Sequence, residues 1–311
     1  MYRIGIDIGG TFIRTAVFNE DFSIIKREQF PNDRKKSAVE NIDIILEKVN
    51  FFLLENKPCT GIGIGCPGPL DFTAGKVLNP PNLPGWKNFD LVSYITQKTG
   101  LKTILNNDAN CAGLAEAQLG AGKGINSVFY ITVSTGIGGA FIYKGELVGG
   151  ANSSAGEVYN LIVCDTNYSL PSAGNYLSGN NGANAGSLNE VCGGDALARQ
   201  ASAAYGRPVD AKELYDDLYL KKKENLAVNI VDRWLENLAK GIANISCVVD
   251  PDIFIVGGAI ALKGDRFLET LMDKAKKYCI HPEALRMEKS FLGEDAGLIG
   301  AAMLIPKGQR D

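Results

Sequence analysis

Two short glycine clusters contain the residue types that bind a phosphate group. Asp7-Ile8-Gly9-Gly10-Thr11 and Ser134-Thr135-Gly136-Ile137-Gly138-Gly139 each follow an apolar run. Glycine lets backbone N–H groups approach a phosphate without a Cβ atom in the way. The hydroxyl group of Thr11 adds a donor, and the carboxylate of Asp7 suits a hydrated Mg²⁺ ion. The pair predicts two loops that hold one triphosphate, although each cluster alone also fits an ordinary hairpin turn.

A third cluster, Asn106-Asn107-Asp108, lies at a predicted junction between a strand and a helix. Ligands bind at the carboxyl ends of strands in α/β sheets, so Asp108 is placed to accept the proton of an attacking hydroxyl group. Asn107 would hold a neighbouring hydroxyl group. Taken alone, the aspartate also fits the N-cap of a helix.

Candidate residues for binding a polyol lie in two further segments. The loop from Cys66 to Asn88 is rich in Pro and Asn and contains Gly68, Asn82 and Trp86. Proline presets φ, so this loop loses less entropy on ordering than a glycine linker would, and Asn side chains beside an aromatic ring suit a polyol. Trp86 fits a buried core residue equally well. Glu157 either accepts hydrogen bonds from vicinal hydroxyl groups or lies on a solvated surface.

The glycine pair Gly257-Gly258 follows a predicted strand, Ile253 to Val256. Without Cβ atoms, this pair would let an adenine or a ribose pack against the backbone. Close packing of a strand on a helix is the alternative explanation. Together with the two phosphate clusters, the pair predicts the adenosine end of a nucleotide site.

The predicted elements place these clusters at the ends of strands. A period-2 apolar pattern predicts a strand near residues 2–8, with its hairpin partner near 12–18, and short apolar runs predict further strands near 61–65, 101–105, 127–133 and 253–256. A Ser-x-x-Glu capping box starting at Ser37 begins one of the helices predicted to cover them. The alternation of predicted strands and helices along the chain predicts an α/β fold with two domains. Residues 1–120, completed by a C-terminal helix at 296–311, form the first, and residues 121–295 form a larger second domain. The two glycine turns, each within a β-hairpin, indicate an ancient duplication.

Composition limits the partners and the location. The 311 residues are 45% hydrophobic and have a net charge of -3, which excludes disorder and a broad basic surface for nucleic acid or anionic membrane. Apolar runs fall short of the roughly 18–20 residues of a membrane helix, and no signal-peptide pattern is present, so a cytoplasmic location is expected. Seven scattered cysteines are typical of reduced thiols. His281, the single histidine, excludes a multi-histidine metal site.

Taken together, the six clusters resemble the ROK (repressor, open reading frame, kinase) family of sugar kinases. The family has the two-domain actin, Hsp70 and hexokinase-like (ribonuclease H-like) fold with a cleft between the domains. The resemblance covers essentially all 311 residues. It implies that Asp7 to Thr11 and Ser134 to Gly139 are the two phosphate loops and that Val256 to Ala259 is the adenosine segment. It also implies that Asn107-Asp108 is the sugar-binding pair, with the aspartate as the general base.

The sugar-side motifs both match the family and depart from it. Gly65 to Leu70 and Asn79 to Trp86 are similar to the sugar-side loops of glucokinase-like members. The family commonly has Gly-Glu-x-Gly-His and then a Cys-x-Cys-Gly-x-x-Gly-Cys-x-Glu zinc motif. Here the first reads Gly156-Glu157-Val158-Tyr159-Asn160, and no cysteine triplet follows. An ungapped match puts Asn189 at the sugar-contacting glutamate, whereas a one-residue shift puts Glu190 there. Loss of the Cys and His ligands predicts a zinc-free member.

The resemblance implies an ATP- and Mg²⁺-dependent kinase that phosphorylates the primary hydroxyl group of a hexose, with glucose expected first. Allose, fructose, mannose, N-acetylmannosamine and a β-glucoside are alternatives, because Asn160 and Asn189 lie at positions that would read the C1 and C2 substituents. A sugar-responsive regulator and a catalytically silent sugar-binding module are the alternative functions. DNA binding is disfavoured, because no helix-turn-helix precedes the first strand. A homodimer is expected from the family.

Overall fold

Each phosphate-type glycine cluster lies in a β-hairpin within its own sheet. The computed structural model describes residues 1–33, 35–55, 58–80, 83–164, 185–261 and 265–306. The chain divides into two units. We call Met1–Leu119 with Glu294–Asp311 the N-terminal unit, and Gly120–Gly293 the C-terminal unit.

The sheet of the N-terminal unit combines a hairpin with parallel strands. The strands of this unit are β1 (Tyr2–Ile8), β2 (Phe12–Phe18), β3 (Ile24–Pro31), β4 (Cys59–Cys66), the short pair β5 (Leu70–Asp71) and β6 (Lys76–Val77), and β7 (Thr103–Asn107). The main sheet has the order β3-β2-β1-β4-β7. β1 is antiparallel to β2 and parallel to β4, which is in turn parallel to β7.

The sheet of the C-terminal unit follows the same plan. Its strands are β8 (Ser127–Val133), β9 (Ile137–Tyr143), β10 (Glu146–Leu147), β11 (Ile253–Gly257) and β12 (Met287–Lys289). They have the order β10-β9-β8-β11-β12, with β8 antiparallel to β9 and parallel to β11. The two sheets thus share strand order and strand direction, as a duplication requires.

Helices cover both sheets. The α-helices are α1 (Ala38–Glu55), α2 (Leu91–Thr99), α3 (Asp108–Gln118), α4 (Leu188–Cys192), α5 (Gly194–Tyr205), α6 (Asn225–Val249), α7 (Asp265–Lys276) and α8 (Ala296–Met303). A π-helical segment spans Glu213–Lys221, and short 3₁₀ turns span Pro84–Trp86, Val158–Asn160, Pro282–Ala284 and Gly293–Asp295. Within the part of the chain that the structure describes, no helix is long and apolar enough to cross a membrane.

Local sequence signals explain where several helices begin. The predicted capping box before α1 is present, since the Ser37 N–H donates to Glu40 Oε2 (2.8 Å) and the Glu40 N–H donates to Ser37 Oγ (3.3 Å). Helix α2, which our sequence analysis did not assign, is capped by the Asp90 side chain and ends at Gly100 in the left-handed conformation. The strand predicted at 101–105 is instead β7, displaced by two residues, so that it ends at Asn107.

Helix α8 packs on the N-terminal sheet at backbone contact. A Cβ atom on Gly5 of β1 would lie 2.5 Å from the carbonyl oxygen of Leu298, and one on Gly300 would overlap the carbonyl group of Cys111 in α3. Only glycine permits such an approach at these positions. The helix is therefore fixed against both the sheet and α3, with its first turn near the end of β1.

Candidate functional site

The first glycine turn joins β1 to β2, and a buried asparagine braces it. The Gly9 N–H donates to the carbonyl group of Phe12 (2.9 Å). Asn32, which is 7% exposed, donates from its backbone to the Thr11 carbonyl group (2.8 Å) and from Nδ2 to the Gly9 carbonyl group (2.7 Å). These bonds fix both ends of the turn, while the side chain of Thr11 stays exposed. The sequence analysis did not identify Asn32.

Asp7 lies beside the turn, opposite a cation. Arg14 is its partner in the β1–β2 ladder and donates to Oδ2 of Asp7 at 3.5 Å. The same guanidinium group also contacts Glu294 (3.4 Å) and Gln29 (3.1 Å). Burial and the neighbouring Asp108 carboxyl group raise the pKa of Asp7 to about 6, against the opposing effect of Arg14. Arg14 is a second residue that the sequence analysis missed.

Asp108 opens α3, and the N-cap is its neighbour Asn107. The Ala109 N–H donates to Asn107 Oδ1 (2.8 Å) and also to Asp108 Oδ1 (2.8 Å), and the Asn110 N–H donates to Asn107 Oδ1 (3.4 Å). Burial raises the pKa of Asp108 above its ordinary value, although the bond from Ala109 opposes the shift. The alternative assignment of Asp108 as the helix cap is therefore wrong. A carboxylate with a raised pKa is a better proton acceptor.

The N-terminal unit brings Asp7, Asp108, Asn107 and Gly68 together. Asp7 pairs with Gly65 in the β1–β4 ladder, and a Cβ atom on Gly65 would lie 3.6 Å from Cα of Asp108. A Cβ atom on Gly68 would lie 3.7 Å from Nδ2 of Asn107. The Asn107 amide thus caps α3 with its oxygen and presents its nitrogen to the loop that contains Gly68.

The two other candidate residues of the predicted sugar loop are Asn82 and Trp86. Asn82 lies outside the described residues. Trp86 is 2% exposed and packs in the N-terminal core, with its ring centroid 6.1 Å from that of Phe89 in an edge-on arrangement. Its hypothesised role as an aromatic surface for a polyol is therefore wrong, because the ring already fills the core.

Helices α4 and α5 support the second glycine turn, which lies between β8 and β9. The first two residues of α5 donate backbone hydrogen bonds to the carbonyl groups of Ser134 (2.8 Å) and Thr135 (3.0 Å). The Ile137 N–H donates to Oδ1 of Asn189 in α4 (2.9 Å). These contacts hold the backbone of the turn, and the side chain of Thr135 is exposed.

The predicted adenosine segment borders the same turn. Gly138 of β9 and Gly257 of β11 pair with Thr132 of β8 from its two sides. Gly258 follows with a φ of 94°, and a Cβ atom there would clash with the backbone of Val133. The C-terminal unit therefore places Thr135, Gly136, Gly138, Gly257 and Gly258 at one edge of its sheet.

The candidate sugar contacts of the C-terminal unit lie on adjoining segments. Glu157 directly precedes the 3₁₀ turn that ends at Asn160, and the N–H at the start of α4 donates to the residue after that turn (2.7 Å). On α4, Asn189 faces the second glycine turn, whereas Glu190 accepts from Arg199 through Oε2 (3.2 Å). The Glu190 side chain is 1% exposed, and its Oε1 has no hydrogen-bond partner among the described residues. The two neighbouring residues therefore have different surroundings.

The donor set fits magnesium held with substrate phosphates. No three His, Cys, Asp or Glu side chains of the described residues are placed to hold a metal ion by themselves. Magnesium needs no such cluster, because it is usually bound through one or two carboxylates, water and phosphate oxygens. Asp7 lies near the Asp108 carboxyl group, which raises the energy of its ionised form. A divalent cation would relieve this repulsion.

Comparison with known proteins identifies the family of the chain. The ROK family model matches residues 3–308. A glucokinase from Thermotoga maritima is 31% identical, over 97% of this chain and 96% of its own. An N-acetyl-D-glucosamine kinase from Photobacterium profundum is 30% identical, over 96% of this chain and 98% of its own.

Two solved structures match along nearly the whole chain. A ROK hexokinase from Thermus thermophilus has a TM-score of 0.84 and 31% identity, with 98% of each chain covered. A ROK family glucokinase from Streptomyces griseus, in complex with glucose and AMPPNP, has a TM-score of 0.78 and 27% identity, covering 99% of this chain and 100% of that one. The α/β fold of the actin and hexokinase-like type is thereby confirmed. The chain belongs to the ROK family.

Proposed function

We propose that this protein is an ATP-dependent sugar kinase that phosphorylates the primary hydroxyl group of a hexose, with glucose as its main substrate. The observation that carries the proposal is the buried, raised-pKa carboxyl group of Asp108, held beside Asn107, Gly68 and Asp7. The glucokinase relative supports glucose. The relative that acts on N-acetyl-D-glucosamine, at almost the same identity, makes other hexoses the direct competitors.

Asp108 would act as the general base. It takes the proton of the sugar hydroxyl group as that oxygen attacks the γ-phosphorus, and the bond from phosphorus to the leaving oxygen of ADP breaks. Positioning supplies most of the rate in such transfers. Asn107 Nδ2 would donate to a sugar hydroxyl group near Gly68, while Glu157 and Asn160 would fix the ring.

Both glycine turns would bind phosphate oxygens through backbone N–H groups, those of Gly10 and Thr11 in the first turn and those of Thr135, Gly136 and Gly138 in the second. Gly9 and Ile137 donate their N–H groups within the protein. Gly257-Gly258 would let the adenosine pack against the backbone. Asp7 would hold magnesium through water, and the ion supplies neutralisation of phosphate charge when bound. The contact with Arg14 orients the Asp7 carboxyl group when magnesium is not bound.

A coupled assay of ADP release tests the proposal. We expect glucose to give the highest kcat/KM in a panel that also contains allose, fructose, mannose, N-acetylmannosamine, N-acetyl-D-glucosamine and a β-glucoside. A different best hexose would correct the substrate and leave the reaction standing. If the protein binds a sugar of the panel but releases ADP with none of them, the kinase proposal is contradicted and a catalytically silent sugar-binding module is favoured.

We further propose a cytoplasmic homodimer without bound zinc, acting on sugar and ATP with no nucleic-acid or membrane partner. The net charge of -3 supports the absence of nucleic-acid binding. Asn160 in place of the zinc-binding histidine supports the absence of zinc. Light scattering after size-exclusion chromatography tests the dimer, and elemental analysis of the purified protein tests for zinc. A monomer, or one zinc per chain, would contradict these points.

A further inference from the structure

Asn189, which an ungapped match places at the family's sugar-contacting position, is bonded to the second glycine turn in this chain. Oδ1 of Asn189 accepts the backbone N–H of Ile137 at 2.9 Å. A Cβ atom on Gly136 would lie 2.6 Å from the same oxygen. The carboxamide oxygen therefore lies against the backbone of the second glycine turn.

The junction between α4 and α5 supports the turn along its length. The Gly193 N–H donates to the Asn189 carbonyl group (3.0 Å), and a Cβ atom on Gly193 would lie 3.1 Å from the Thr135 oxygen and 3.3 Å from Cα of Gly136. The first two residues of α5 bond the preceding carbonyl groups of the turn. In this support, Asn189 contributes through its side chain, whereas the other bonds come from the backbone.

A side-chain brace of this kind matters at a glycine turn. Peptide groups next to glycine rotate easily, and phosphate binding requires N–H groups with fixed directions. The amide oxygen of asparagine supplies the acceptor without adding a negative charge beside the phosphates. The first glycine turn also has an asparagine brace, of the opposite polarity, because Nδ2 of Asn32 donates to the Gly9 carbonyl group (2.7 Å).

We propose that Asn189 is a positioning residue for the nucleotide phosphates, acting through the Gly136–Ile137 backbone, and that it does not read the sugar. This rests on the proposed kinase function. It also assigns a nucleotide role to a residue that an ungapped match places at the family's sugar contact, and it leaves Glu190 as the other candidate for that contact. Sugar selectivity in this chain then resides in the other candidate contacts.

Calorimetry on Asn189→Ala separates the two roles. We expect the Kd for ADP to rise about 3- to 10-fold, the range of one net hydrogen bond, with the Kd values for adenosine and for glucose unchanged. Hydrogen exchange of the peptide that contains Ile137 should become faster in Asn189→Ala. It should remain slow in Asn189→Asp, because the carboxylate accepts the same bond. ADP binding should nevertheless weaken in Asn189→Asp, since the new charge repels the phosphates.

Gln200→Ala is the matched control. Gln200 of α5 donates to the Val191 carbonyl group of α4 at 3.1 Å, so its loss loosens the same helix pair without touching the turn. The control should bind ADP as the wild type does. Weaker glucose binding with unchanged ADP binding in Asn189→Ala, or an equal ADP defect in Gln200→Ala, would overturn the assignment. A wild-type protein that binds neither ADP nor any hexose would instead overturn the proposed function.

Discussion

Replacing Asp7 by asparagine should stabilise the N-terminal unit at pH 8 far more than at pH 4. Burial and the Asp108 carboxyl group raise the pKa of Asp7 from 3.8 to about 6. The folded protein therefore holds this proton more tightly than the unfolded chain does, so stability is lost as the pH rises from about 4 through about 6. A shift of about two units at 1.36 kcal/mol each gives about 3 kcal/mol at pH 8. At pH 4 the expected gain is below about 1 kcal/mol.

Tryptophan fluorescence can report the N-terminal unit alone. The chain has two tryptophans, and Trp86 lies in the N-terminal core while Trp234 lies in the C-terminal core. Urea unfolding of Asp7→Asn, compared with its parent in a Trp234→Phe background at both pH values, therefore measures the predicted gain. The same variant should lose ATP-dependent turnover, since a site that needs a buried, ionised carboxylate gives up stability for activity.

A matched control and a clear contrary result complete the test. Asp21 is an exposed aspartate of the same unit, and Asp21→Asn should show no gain that depends on pH in this way. An equal stability change at pH 4 and pH 8 for Asp7→Asn would refute the reasoning. The cause would then be packing, not the ionisation of a buried carboxyl group.

Three further substitutions test the site. Asp108→Asn should lower kcat by about 10² to 10⁴ with the Kd for glucose unchanged, and full turnover in this variant would exclude a general base there. Asn32→Ala should weaken ADP binding about 3- to 10-fold by calorimetry, whereas Asn19→Ala, which loosens a separate surface turn, should not. Gly258→Ala should lower both the melting temperature and ATP affinity. Gly145 is also at positive φ but has open space around its Cβ position, so Gly145→Ala should lower the melting temperature less. An equal decrease in the two variants would argue against a clash at Gly258.

The fold and much of the candidate site could be predicted because their signals are local. Glycine turns after apolar strands and the capping box at Ser37 each involve residues that are close together in the sequence. Helix α2 was missed because its signals, an Asp90 cap and a closing Gly100, flank a short run with a weak apolar pattern. The sequence did not distinguish the two roles of Trp86, because a tryptophan in a loop is compatible with a ligand-binding surface and with a buried core position.

The bracing contacts of the two turns were missed because the residues that make them are distant in sequence. Asn32 lies 23 residues from Gly9, and Asn189 lies 52 residues from Ile137. No local pattern connects residues so far apart. Arg14 was accessible in principle, because the register set by the first hairpin places it directly opposite Asp7.

Helix α8 makes the N-terminal sheet depend on a segment that is synthesised much later. β1 and β4 receive this helix at backbone contact, yet about 180 residues separate Leu119 from its end. At roughly 5–20 residues per second, ribosomes take on the order of 10 to 40 seconds to add that stretch. During this interval the nascent N-terminal sheet lacks the helix that packs on it at backbone contact, and the Asp7 end of β1 lacks its neighbour Gly297. The fold of the N-terminal unit is thus completed only after the C-terminal unit has been synthesised.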